Sequence, residues 1–493
     1  MKQATEDGVA AAEDGKPRPS VRWALTGLSL SMLMPSLDTS IANVGLPSLA
    51  QAFGASFQAV QWVVLAYLLA ITTLIVSVGR LGDILGRRRL LLSGIGLFTL
   101  ASLLCGVAPT LWLLIAARGA QGVGAAIMMA LAMALGGEAV PQARIGSAMG
   151  LLGTMSAIGT TLGPSLGGLL IAGVGWRMIF LINVPLGVLN LVIAARALPL
   201  DRPKAKVDRA RFDAIGTLLL ALTLCAYALA MTAGGDSFSP LNLALLATAV
   251  LGALLFVSAQ SRAGSPLLPL AMFGEPMLSA GLAMSGLVAT VMMATLIVGP
   301  FYLSGALGLD TARVGLVMSA GPLAAALTGL PAGRLVDRFG ARRTTLAGLV
   351  GMGAGLLALT LAPARFGAAG YIAAIVVVTT HYALFQAANN TAVMSDVRPD
   401  RRGVVSGMLS LSRNLGLITG ASAMGAVFAL ASATRDITTA QPQAVAAGMR
   451  TTFTVAAVLV VVAVAITMAS RRQWRNAAGA RRITVNLERR YRR

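Results

Sequence analysis

The sequence predicts an all-α, polytopic membrane protein, and three observations carry that reading. Of its 493 residues, 56% are hydrophobic and only 12% charged, against roughly 25% charged in a soluble domain. Apolar stretches of about 20 residues or more recur along the chain, each long enough to cross a hydrocarbon core of about 30 Å as a helix. Their pattern is not the alternation of barrel strands, and lipid offers the backbone no hydrogen-bond partners, so the spans are helices.

The first 20 residues carry Glu6, Asp7, Glu13 and Asp14 and no apolar run, which reads as a disordered cytoplasmic tail rather than a signal peptide. Six spans follow at about 22–46, 59–79, 90–108, 111–135, 147–171 and 178–198. Eight more fit at about 212–232, 240–259, 278–303, 313–332, 344–363, 368–394, 404–432 and 449–470, which makes about fourteen.

A net charge of +21 invites a nucleic-acid reading until the charges are placed. With both termini on one side, that side receives Arg80 and Arg87–Arg89, then Arg202, Lys204, Lys206, Arg209 and Arg211. It also receives Arg334, Arg338, Arg342, Arg343 and the basic tail 471–493. The other side holds scattered arginines such as Arg177, Arg313, Arg365 and Arg435. The arginines therefore mark the cytoplasmic face, with some attraction of the tail to anionic lipid. They do not mark a nucleic-acid surface.

Cys105 and Cys225 both fall within spans and read as small apolar residues. One histidine and dispersed carboxylates imply no metal and no cofactor, and no acid, base and nucleophile converge as an enzyme requires. Without a phosphate-cradling loop, transport energy must come from an ion gradient or the substrate's own gradient.

The chain also repeats itself. Gly79-Arg-Leu-Gly-Asp83-Ile-Leu-Gly86-Arg87-Arg88-Arg89 follows the second span, and Gly333-Arg-Leu-Val-Asp337-Arg-Phe-Gly340-Ala-Arg342-Arg343 follows the tenth. Glycines allow a tight reversal there, and the acid can cap a helix start or pair with an arginine. Arginine anchoring alone explains the charge but not the repeated spacing.

These residues resemble the signature loop of the major facilitator superfamily. The first copy departs from it where Ile84 replaces a basic residue, and the second where Ala341 does. Leu114, Arg118, Gln121, Gly122, Gly124 and Ala125 in the fourth span resemble the motif that the family associates with proton coupling. Gly159, Gly163, Pro164, Gly167 and Gly168 in the fifth resemble its antiporter motif. With Leu37-Asp38-Thr39-Ser40 in the first span and Trp176 to Pro185 opening the sixth, the chain is similar to the fourteen-helix drug:proton antiporter branch. That resemblance implies two six-helix bundles, at 21–200 and 266–470. Residues 201–265 form a linker and an inserted helix pair. It also implies a conformational switch loop at Gly79, Asp83, Gly86, Arg87, Arg88 and Asp337, with Asp83 acting on a conformational equilibrium rather than on substrate.

In the fifth span, Gly159 and Gly163 lie four apart on one face, so a second backbone can approach, and Pro164 favours a bend. Such a contact suits rocking of two bundles or static small-residue packing. Asp213 reads as a helix cap or interfacial acid. Tyr382, Gln386, Asn389 and Asn390 recur at helical spacing in the twelfth span beside His381, a face that lines the cavity or bonds between helices. Arg413 is costly in lipid and must face a partner or water. Trp62, Tyr67, Phe301 and Tyr302 contact an aromatic substrate or anchor at the interface.

Asp38 lies about nine residues before Pro47, roughly 13 Å deep, and Arg118 about eight after Thr110, roughly 12 Å deep. At one level, each costly alone in hydrocarbon, the two are expected to interact directly or through water and Gln121. Paired, the arginine favours an ionised Asp38; separated from it in an apolar site, the acid favours its protonated form. The rival is a static ion pair that fixes the packing of two helices. The function expected is export of small lipophilic or cationic compounds in exchange for protons, against uptake or facilitated diffusion of a metabolite. With one carboxylate deep in the spans, neutral, zwitterionic or monovalent substrates fit better than dications. A monomer is compatible with this reading.

Overall fold

A computed structural model describes residues 21–140, 145–199, 201, 213–232, 239–263, 270–395, 397, 402–432 and 440–491. The N-terminal tail and the basic linker positions Arg202, Lys204, Lys206, Arg209 and Arg211 lie outside the described residues, as do the side chains of Arg80, Asp83 and 470–491.

The helices of the N-terminal half are α1 (Val21–Phe53), α2 (Phe57–Leu85), α3 (Arg87–Val107), α4 (Leu111–Glu138), α5 (Ile145–Gly173) and α6 (Met178–Ala197). Then come α7 (Ala214–Thr232), α8 (Pro240–Arg262), α9 (Pro276–Ala306) and α10 (Thr311–Phe339). Ala341–Ser395 is one run of 55 residues interrupted at Gly367, whose φ of 54° and ψ of −134° leave the helical region. It forms two antiparallel arms, α11 (341–366) and α12 (368–395): Gly348 packs on the backbone of Phe385, Gly351 on His381 and Gly355 on Val378. Reversal at φ > 0 is a conformation that glycine adopts without penalty. The remaining helices are α13 (Val404–Ala431) and α14 (Pro442–Tyr491). Among the described residues, 12 helices are long and apolar enough to cross a membrane, the two-armed run counting as one. α1 is a further long helix whose inner face is buried.

Local sequence sets the ends. Ser56 accepts a hydrogen bond from the Ala59 amide, Thr110 from Leu113 and Asp310 from Arg313, N-caps that satisfy otherwise orphaned donors. Gly86 and Gly340, at matching places in the two repeat copies, take φ of 96° and 81°, the tight reversals that the glycine spacing predicts. Pro47 does not end α1, which runs on to Phe53; a proline costs a helix one donor and need not stop it where neighbours pack around the bend.

α1–α6 form one bundle and α9–α14 a second, with α7 and α8 paired on each other. Helix α7 is fastened to α2 by Trp62 Nε1 donating to Thr232 Oγ1 (3.1 Å) and by the Ser77–Thr217 hydroxyl pair (3.0 Å). Asp213 caps α7 by accepting from the Gly216 amide, and takes a second bond from Gln260 of α8. Outward-facing Leu222, Leu254, Leu361 and Val461 are more than half exposed. A belt of that kind is sustained by lipid and not by water.

The two bundles meet towards the arginine-poor end. Phe57 of α2 packs edge-on against Phe301 and Phe428, with centroids at 4.8 and 5.4 Å, and Gln61 donates to the Ala421 carbonyl at 3.0 Å. On the opposite flank, Gly168 of α5 abuts Thr311 and Gly315 of α10, and Thr161 donates to the Pro322 carbonyl at 3.2 Å. One to two turns further towards the arginine-rich end, the same faces continue as Thr154 and Ala157 on α5 and Ala326 and Gly329 on α10, and these are exposed. The molecule is thus closed at the arginine-poor end and parted at the other. A methyl group on Gly168 would stand 2.7 Å from the Thr311 carbonyl, closer than packed atoms tolerate. Gly168→Ala is therefore expected to loosen the closed end, raising labelling of a cysteine placed at Ala312 by a membrane-impermeant thiol reagent. Unchanged labelling would show that the contact does not hold the bundles together.

Candidate functional site: a buried ion pair in the N-terminal bundle

Asp38 on α1 and Arg118 on α4 are 1% and 0% exposed, and they form a direct ion pair between Oδ2 and an η nitrogen. The other carboxylate oxygen accepts from Gln121 Nε2 (2.9 Å) and Asn183 Nδ2 (2.8 Å). Arg118 also donates to the Val63 carbonyl through Nε (2.9 Å) and to Gln121 Oε1 (2.6 Å), while its guanidinium lies 4.2 Å over the Tyr67 ring and 5.6 Å from that of Phe180. Gln121 in turn donates to Ser102, with the Cys105 thiol 3.7 Å from its oxygen. Cys105 is thus part of the polar cluster and not merely an apolar filler.

The three groups bonded to Asp38 all donate to it, the Arg118 guanidinium and the Gln121 and Asn183 amides. The pair is desolvated, and its mutual attraction together with the hydrogen bonds from Gln121 and Asn183 and to Val63 offsets part of that cost. Among the described residues, one guanidinium nitrogen of Arg118, the Asn183 oxygen and both ends of buried Asn43 have no hydrogen-bond partner. Asp38 and Arg118 also close the polar interior of a bundle whose α1 is clamped to α5. Gly159 sits against the backbone of Leu33 and Leu37, Gly163 against Ser40 and Ile41, and Gly167 against Ile41. The carbonyl of Pro164, together with Gly168, faces Gly315 of the other bundle. A continuous backbone contact therefore joins the helix carrying Asp38 to the bundle interface.

The loop after α2 is held by residues that sequence spacing does not reveal. Arg87 pairs with Glu138 at the end of α4, and Arg88 donates to the Ala195 carbonyl. Asp201 accepts from the amides of Arg88 (2.9 Å) and Arg89 (3.1 Å), so it, from beyond α6, caps α3 against the bare face of Gly86. Gly79 has open space beside it, and Asp337 in the second copy is exposed.

The remaining residues are dispersed. His381 bonds its own helix at Val377 and lies on Gly351 of α11. Asn389 donates to the Gly281 carbonyl of α9 (3.1 Å), an interhelical bond, and Asn390 is exposed. Tyr382, Gln386 and Arg413 are half-buried. Tyr302 stacks with Tyr371 at 6.2 Å. Tyr67 is wholly buried with its hydroxyl on the Pro35 carbonyl; it supports Arg118. A second glycine pair missed in the sequence, Gly416 and Gly420 on α13, packs on Gly286 and Thr290 of α9; their four-residue spacing was the available signal.

Two helical bundles closed at one membrane face, with a desolvated ion pair beside the helices that join them, have the build of a membrane transporter. The chain belongs to the major facilitator superfamily: the family's model matches residues 28–421 and, in a second match, 282–484. It is 34% identical over 407 residues to the multidrug resistance protein Stp of Mycobacterium tuberculosis, covering 82% of this chain and 75% of that one. To the riboflavin transporter RibZ of Clostridioides difficile it is 31% identical over 409 residues, 83% of this chain and 88% of that one. A bacterial homolog of the human lysosomal transporter Spinster, solved inward-facing and unoccupied, shares the fold with a TM-score of 0.66 at 17% identity, over 93% of this chain and 98% of that one.

Proposed function

We propose that this protein exports small lipophilic compounds, drugs or other toxic molecules, across a bacterial-type inner membrane in exchange for protons. On this reading it is a fourteen-helix antiporter with both termini cytoplasmic. The observation that carries it is Asp38, a carboxylate closed off from water and held by the Arg118 guanidinium and two amide donors. In the arrangement parted at the arginine-rich end, Asp38 is ionised and held by Arg118. Opening the other end shifts α1 with α5, withdraws the guanidinium and lets the carboxylate take a proton from outside. Return to the first arrangement restores the pair and releases that proton inside. The similarity to multidrug resistance protein Stp supports the substrate class.

The test is transport by purified protein in vesicles with an imposed pH gradient, reading proton and ethidium flux together. Gradient-dependent ethidium movement with counterflow of protons is expected. Ethidium flux indifferent to the gradient would sink proton coupling. The similarity to riboflavin transporter RibZ favours a second reading, a dedicated metabolite transporter; an efflux-deficient cell carrying the gene would then resist none of a panel of dyes and antibiotics.

A further inference from the structure

Arg413 is a cation deep in α13 that the ion-pair site does not use. It lies eight residues from Ala421, where the bundles touch, hence about 12 Å towards the arginine-rich end. Thr379 of α12 packs on Gly321 at the level where the α5–α10 contact ends. Tyr382 follows one turn further in, within electrostatic reach of Arg413. Both residues are half-buried and stand at the depth where facing helices have parted. Among the described residues, Arg413 makes no ion pair, and the carboxylates of its bundle, Glu275, Asp310 and Asp337, sit at helix ends. Asp38 offers no counter-charge, being enclosed and already paired. A cation at mid-depth with accessible donors is costly in lipid and is kept where something anionic meets it.

We propose that Arg413 is the anion anchor of the transport pathway, so that the compounds carried include lipophilic organic acids or zwitterions whose carboxylate docks on its guanidinium. This rests on the transporter reading and adds carboxylate-bearing compounds to its substrate class. The planar guanidinium matches a carboxylate with two parallel N–H donors, which an ammonium cannot reproduce.

The test compares dansylphenylalanine with its methyl ester, binding to the purified full-length protein in detergent at neutral pH. The acid is expected to bind about tenfold tighter than the ester. Arg413→Gln should erase that preference while leaving ester binding and the melting temperature unchanged, and Arg413→Lys should keep part of it. Equal binding of acid and ester, absence of acid binding, or an undiminished preference in a folded Arg413→Gln protein would each overturn the assignment. Gradient-driven ethidium transport together with failed acid binding removes this inference and leaves the transporter reading standing. Acid preference without any gradient-driven flux removes proton coupling and leaves the anion site standing.

Discussion

Asp38→Asn is expected to insert and fold as the parent does, yet its pH-gradient-driven export should fall to that of protein-free vesicles. The substitution keeps the shape and removes the titration. Arg118 loses its counter-charge but keeps the Val63 carbonyl, the Gln121 oxygen and the Tyr67 ring face around its guanidinium, so the variant is expected to be less stable than the parent yet still folded. An amide in place of the carboxylate still offers one acceptor, but no proton can be taken up or released there in the relevant pH range. Counterflow of substrate down its own gradient should survive, which separates lost coupling from lost transport. Export at the parental rate with the same proton flux would make the ion pair a structural device.

Arg118→Leu should have the larger effect on stability. It leaves the Asp38 carboxylate facing two amides in a site closed to water, and breaking a buried pair from one side costs about 3–5 kcal/mol. Much of that cost is the stranded partner. Asp38→Asn placed in the same background is therefore expected to recover most of the loss, a coupling readable as a double-mutant cycle on denaturant unfolding of the purified protein. If the double variant is no more stable than Arg118→Leu alone, the loss comes from the packing of the guanidinium on Tyr67 and Phe180, and the charge pair contributes little.

Much of this architecture was legible in residue order. Spans and the paired glycine reversals at Gly86 and Gly340 follow from hydropathy and local conformational preference, which act over a few residues. Asp38, Arg118 and Gln121 could be matched because a charge in a span has few places to go and the rise of a helix converts position to depth. The depth estimate set the end of α1 at Pro47 although the helix continues to Phe53; the residues meet because Thr110 does cap α4 and the bundle brings α1 alongside. The polar face of α12 was harder to interpret. Its helical spacing groups His381, Tyr382, Gln386, Asn389 and Asn390, but α12 has α9, α10 and α11 around it, so neighbours in sequence turn to different partners.

Composition and order alone thus establish a helical membrane protein, its arginine-rich face, and an acid and a base that must find one another in hydrocarbon. Only the tertiary structure supplies Asn183 to the carboxylate, Asp201 to the start of α3 and Glu138 to Arg87. It alone shows that Gly168 meets Gly315 at the closed end while Ala157 and Ala326, further along the same helices, are exposed. The physical reason is range. Helix formation and membrane placement are settled by neighbours along the chain and by solvent, whereas each of these contacts joins segments far apart in sequence, and what they satisfy depends on how the helices cross.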